Sequence, residues 1–131
     1  MFVDASALVA ILDREPEAQE LAAKIADARE VYCSPLAHFE AALGIARLQA
    51  IPVHVAASKI AELMDSANAQ MISITAEVGV LAIAAHDSFG KGRHKAQLNM
   101  GDCFAYACAK AHRVPLLCKG NDFQHTDIQI A

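Results

Sequence analysis

The sequence predicts an α/β fold with three layers, a parallel sheet of four to five short strands between two layers of helices. Three observations predict it. Short apolar runs alternate with longer stretches of helical period, the pattern of strand–helix–strand units. The chain has 131 residues, the length of one domain, so 1–131 reads as a single unit. Its hydrophobic fraction is 55%, much of it alanine, and small side chains let helices pack close to a sheet.

The elements follow in order. Phe2-Val3 is the first strand, ended by Asp4. Leu8, Ile11 and Leu12 begin a helical period with Ser6 as its N-cap. Pro16 opens a second helix, where proline is tolerated in the first turn, with Leu21, Ile25 and Ala28 as its stripe. Val31-Tyr32-Cys33 is a second strand, and Ser34-Pro35 caps and starts a helix running to about Gln49. Pro52 breaks that pattern. A further helix from His54 to Ala67 has Val55, Ile60, Leu63 and Met64 inward. Met71 to Ile74 is the third strand, and Thr75 caps a helix with Val78, Leu81 and Ala85 inward. Residues 87–99, with two glycines and four basic side chains, form a loop. Gly101-Asp102 opens an alanine-rich helix ending near His112. Val114 to Cys118 is a strand, Gly120-Asn121-Asp122 a turn, and Asp127 to Ile130 a last edge strand.

Composition excludes several classes. No apolar run approaches the roughly 20 residues of a membrane span. No basic stretch precedes the N-terminal apolar run, so no signal peptide is expected and the chain reads as cytoplasmic, with no membrane partner. Cys33, Cys103, Cys108 and Cys118 form no Cys-x-x-Cys pair and sit in apolar runs, so they read as reduced core residues. The net charge of −4 argues against bulk electrostatic binding of nucleic acid. A polyanionic substrate needs a local basic patch or metal ions.

Ligands of open α/β sheets bind beyond the carboxyl ends of the strands. Asp4 ends the first strand, Asp122 follows the Leu116–Cys118 strand, Asp102 opens a helix after a loop, and Glu40 lies almost two turns into the helix after the second strand. All four converge on one sheet edge if the fold is as predicted. Each has another reading. Asp102 suits a helix start and Asp122 a turn by capping and turn chemistry alone. Glu40 shares a face with Leu36 and Leu43, and a carboxylate in an apolar stripe needs a partner. That partner is either Arg47, further along the stripe, or a metal. Converging carboxylates repel, and a hard divalent cation such as Mg²⁺ or Mn²⁺ relieves the conflict.

The stretches FVDASALVAIL, SPLAHFEAAL and LNMGDCFAYACAKAHRVPLLCKGNDF resemble the PIN-domain toxins of the VapC family, and the resemblance spans nearly the whole chain. It implies a sheet flanked by helices and a Mg²⁺-dependent (or Mn²⁺-dependent) endoribonuclease that leaves a 5′-phosphate and a 3′-hydroxyl. It also implies a structured RNA substrate such as tRNA, a VapB-like antitoxin and a homodimer. Carried over by position, Asp4 and Asp102 hold the metal, Glu40 is the third acid, Asp122 the fourth, and Ser6 supports the first. The departure is Asn121, where many relatives have another acid. This points to one tightly held ion rather than two.

Lys91, Arg93 and Lys95 make the one dense basic stretch, either an RNA-backbone contact or a solvated surface loop. Two other classes compete with the nuclease. A phosphotransfer enzyme could use Asp4 as nucleophile, although Ser6 stands where that class places a second acid. The other is a non-catalytic module binding RNA or protein.

Overall fold

The structure is a computed structural model covering residues 1–131. Four two-residue strands form one parallel sheet: β1 (Phe2–Val3), β2 (Tyr32–Cys33), β3 (Gln70–Met71) and β4 (Leu116–Leu117), in the order β3-β2-β1-β4. Phe2 pairs with Tyr32 on one side and Leu116 on the other, and Val3 pairs with Leu117. The chain steps outward from β1 to β3, then returns past β1 to lay down β4. The switch point of the topology therefore lies between β1 and β4, and the crevice outside their carboxyl ends is the place such sheets bind ligands.

Six helices cover the sheet: α1 (Ala5–Leu12), α2 (Ala18–Asp27), α3 (Pro35–Gln49), α4 (Val53–Ser66), α5 (Ala76–Phe89) and α6 (Met100–His112). Consecutive strand residues point to opposite faces, and Phe2, Val3, Leu116 and Leu117 are all at most 1% exposed. Both faces are therefore covered, giving the predicted three-layer α/β/α arrangement. One core of 30 buried residues runs through it. Helix α6 packs on β1 and β4 and buries Gly101, Cys103, Ala105, Tyr106, Ala107, Cys108 and Ala109. All but Tyr106 are small, which lets its backbone lie close to the strands. Cys33, Cys103 and Cys108 are buried, Cys118 is half-buried, and none forms a disulfide.

Several local expectations change. The N-cap of α1 is Asp4, not Ser6: the Asp4 side chain accepts from the Ser6 backbone N–H. Pro16 lies in the turn before α2, which begins at Ala18. In α4, Val55 faces solvent; Ile60 and Met64 are buried and Leu63 packs half-buried against the core as expected, and Ala56 joins them. The third strand is Gln70–Met71, ahead of the expected Met71–Ile74, because it pairs only as far as β2 extends. The last edge strand shrinks to a single parallel bridge, Leu116 with Ile130. The basic loop is pinned rather than free. A bridge between Gly90 and Leu98 closes its base, and Ala96 and Leu98 are fully buried.

No single helix is long and apolar enough to cross a membrane.

Candidate active site

Asp4 is the first residue after β1. Its backbone N–H still belongs to the ladder, donating to the Leu117 carbonyl at 2.9 Å. The next residues must turn into α1, and Asp4 caps that turn, with its side chain drawn inward to 4% exposure. Its Oδ2 accepts both the Ser6 backbone N–H (2.9 Å) and the Ser6 hydroxyl (2.5 Å). The Ser6 hydroxyl oxygen in turn accepts the Lys119 backbone N–H at 2.9 Å. Ser6 thus ties the end of β1 to the segment leaving β4, across the switch point. Burial raises the Asp4 carboxyl above its ordinary range, against the Ser6 hydrogen bonds that oppose the shift.

Glu40 comes from α3, whose Ser34 N-cap and Pro35 start are as the sequence predicts. The packed stripe of α3 is Ala37, Ala41 and Ile45, and Leu43 is 43% exposed. Glu40 therefore sits at the border of the core rather than within an apolar stripe. No ion pair joins it to Arg47: the two line a shallow groove together, without contact at bonding distance. Its carboxylate lies against the α-carbon of Gly101, so close that a β-carbon there would collide with both oxygens. Burial, then the charges of Asp4 and Asp102, raise its pKa.

Asp102 is the third residue of α6 and half of a capping box. Its Oδ2 accepts the Asn99 backbone N–H at 2.9 Å, and its own N–H donates to Asn99 Oδ1 at 3.0 Å. The capping reading of Asp102 is thus correct, yet it does not exhaust the residue. Burial, followed by the charges of Asp4 and Asp122, pushes its carboxyl up to about 6. Asp122 begins a 3₁₀ turn, Asp122–His125, and is exposed. The half-buried Cys118 thiol feels the same group: burial and then Asp4, Asp102 and Asp122 push it up to about 12.

The four predicted acids are thus linked through their charges, Glu40 to Asp4 and Asp102, and Asp102 to Asp4 and Asp122. No cation answers them: none of the salt bridges in the protein involves Asp4, Glu40, Asp102 or Asp122. No three His, Cys, Asp or Glu side chains of the protein stand close enough together to hold a metal ion between them. Asp4 is held by Ser6, Asp102 by Asn99, and Glu40 rests on Gly101. The remaining expected residues lie apart. Asn121 turns its side chain to Gln124, accepting from Nε2 at 3.0 Å, and lines a different cleft. Lys91, Arg93 and Lys95 are exposed, and Arg93 pairs with Asp87 at 3.1 Å.

Sequence reasoning missed Asn99, Gly101 and the backbone of Lys119. The Asn-x-x-Asp spacing of a capping box was there to find Asn99. Nothing local announces the other two, which matter only through contacts made by folding.

A parallel sheet with carboxylates gathered at its switch point is the arrangement of a PIN domain, and the chain belongs to that family: the PIN domain model matches residues 1–129. Within the family it falls among the VapC ribonucleases. A VapC ribonuclease of Rhizobium meliloti is 42% identical over 139 residues, covering 97% of this chain and 98% of the relative. Ribonuclease VapC30 of Mycobacterium tuberculosis is 39% identical, covering 98% and 95%. Ribonuclease VapC of Mycolicibacterium smegmatis is 38% identical, covering 98% and 97%. Among solved structures, a toxin–antitoxin complex from Klebsiella pneumoniae contains a chain of the same fold. Its TM-score is 0.70 at 17% identity, over 99% of this chain and 95% of that one.

Proposed function

We propose that the protein is a divalent-metal-dependent endoribonuclease, the toxin of a toxin–antitoxin pair, acting in the cytoplasm as a single domain. The observation that carries the reading is the uncompensated acidic crevice, in which Asp102 is pushed up to about 6 by burial and by its acidic neighbours. Such a cluster is unfavourable on its own and favourable around a cation.

The donor set fits Mg²⁺ or Mn²⁺. It consists of carboxylate oxygens, the preference of hard cations, and the nearby Cys118 thiol, pushed up to about 12, stays neutral. Asp4 and Asp102 would hold the ion, with Glu40 and Asp122 beside it. When bound, the ion supplies a more acidic water and stabilises charge at phosphorus.

The chain's own residues do the rest. Ser6 fixes the Asp4 carboxylate by two hydrogen bonds to Oδ2. Asn99 fixes Asp102 in the same way, through Oδ2. Glu40, raised by burial and by Asp4 and Asp102, is suited to orient water and take up its proton. Asp122, rather than Asn121, is the fourth acid, since its charge reaches Asp102 whereas the Asn121 side chain engages Gln124. Lys91, Arg93 and Lys95 hold the RNA backbone, with Arg93 partly offset by Asp87. The RNA is a structured one such as a tRNA, the active form is a homodimer, and a VapB-like antitoxin restrains it.

The test is RNA cleavage by purified protein with Mg²⁺, with Mn²⁺ and with EDTA. The expected result is cleavage with metal, none with EDTA, and none by Asp4→Asn or Asp102→Asn. Full metal-dependent cleavage by either variant would overturn the assignment.

A further inference from the structure

A second cleft opens beside the acidic crevice, between α2 and the segment that follows β4. It has a volume of about 450 Å³, in the range of small-ligand pockets. Lys119 belongs to both places: it lines this cleft, and its backbone N–H donates at 2.9 Å to the Ser6 hydroxyl that holds Asp4. The cleft's Asn121 immediately precedes Asp122 in the chain. A group bound here therefore adjoins whatever is held in the crevice.

The lining is electrically balanced. Lys24 pairs with Glu20 at 3.1 Å, and Lys119 with Glu15 and, at 4.0 Å, with Glu17. No spare cation remains for a phosphate. The lining is mostly polar, with Leu21, Cys118 and Ile130 supplying its apolar surface. On the rim, Gln124 Nε2 donates to Asn121 Oδ1 at 3.0 Å. This bond aligns the two amides and leaves the Asn121 amide N–H and the Gln124 carbonyl oxygen free, a donor beside an acceptor. A paired donor and acceptor is how side-chain amides read the edge of a base. A neutral ring with a hydrogen-bond donor and acceptor side by side on its edge is the ligand this chemistry fits.

We propose that this cleft receives the nucleobase of a nucleotide adjoining the scissile phosphate, its edge read by the paired amides of Asn121 and Gln124. It is thus a specificity site, separate from the acids that hold the metal. The inference rests on the ribonuclease reading above.

The experiment cleaves a randomised RNA pool with wild-type protein and with Gln124→Ala, Gln124→Glu and Asn121→Ala, then sequences the new 5′ ends. Wild-type protein is expected to show a base preference at a position flanking the cut. Gln124→Ala and Asn121→Ala are expected to weaken that preference roughly three- to tenfold, relative to preferences at all other positions. Gln124→Glu keeps the size but removes the N–H that holds Asn121, freeing the Asn121 amide to turn, and is expected to change which base is preferred. Both side chains are exposed, so the fold should survive, and thermal melts check this. If the variants cleave with an unchanged base profile, the cleft proposal is wrong and the ribonuclease reading stands. If wild-type protein cleaves nothing with either metal, both fall.

Discussion

Gly101 carries no side chain, and the Glu40 carboxylate occupies the space where a β-carbon would be. The contact joins α3 to the first turn of α6, one residue before Asp102. It sets where the third acid stands relative to the first two. Gly101→Ala should therefore act on chemistry more than on folding. Alanine gains up to about 1 kcal/mol of helix propensity over glycine, which offsets part of the local strain. Glu40 must swing away, and a displacement near 1 Å at a reacting group costs up to roughly 100-fold in rate. The expected outcome is a melting temperature close to wild type with RNA cleavage depressed at least tenfold. Combining Gly101→Ala with Glu40→Ala should add little to Glu40→Ala alone, because both remove the same group. Near-normal cleavage by Gly101→Ala would show that the place of Glu40 is immaterial.

At the scale of elements, the first turn of α6 serves structure and site together. Asn99 and Asp102 close the capping box, and the same Asp102 carboxyl is pushed up to about 6 by burial and by Asp4 and Asp122. The sign of the consequence is the reverse of an ordinary ion-paired acid. A group that holds its proton more tightly in the folded state favours folding where it is protonated. For metal-free protein, this contribution is present at low pH and is lost as pH rises from about 4 to about 6. Denaturant titrations in EDTA across that window should show wild type losing stability relative to Asp102→Asn as pH increases. A constant difference between the two would refute the coupling. Asn99→Ala should cost about 1 kcal/mol at any pH in the window through loss of the cap.

Helices were legible in this chain because their signals are local: Ser34-Pro35 and Thr75 mark starts that the structure keeps. Strands were legible only as places, since two-residue strands owe their limits to partners, as the early end of β3 on β2 shows. The acids were legible as a group because each follows a strand or opens a helix. Their supports were less so. Asp4 took the capping role that spacing gave to Ser6, because its side chain must fold back over the end of β1 to reach the crevice. Leu43 is exposed because alanines 37 and 41, not leucines, make the close contact of α3. The Glu40–Gly101 contact spans 61 positions of chain and leaves no trace in either segment alone.

For the whole molecule, the crevice sets stability against function. Asp4 is buried and Glu40 and Asp102 half-buried, coupled in charge with no ion pair to offset them, so the metal-free fold carries a repulsion that a bound ion would remove. A ligand that binds only the folded state stabilises it by about 2.7 kcal/mol at 100 times its dissociation constant. For a domain of this size, that corresponds to a melting shift of roughly 10 °C. Saturating Mg²⁺ or Mn²⁺ should produce a rise of this order in wild-type protein, and Ca²⁺ at equal ionic strength, a larger ion wanting more ligands, a smaller one. Asp4→Asn removes a charge that burial disfavours while keeping an oxygen for the Ser6 donors. Its metal-free melting temperature should equal or exceed that of wild type, and its response to metal should vanish together with its cleavage. A variant that melts lower than wild type in EDTA and still rises fully with Mg²⁺ would place the ion elsewhere. The acids would then be serving the fold, and the cost of gathering them would need another explanation.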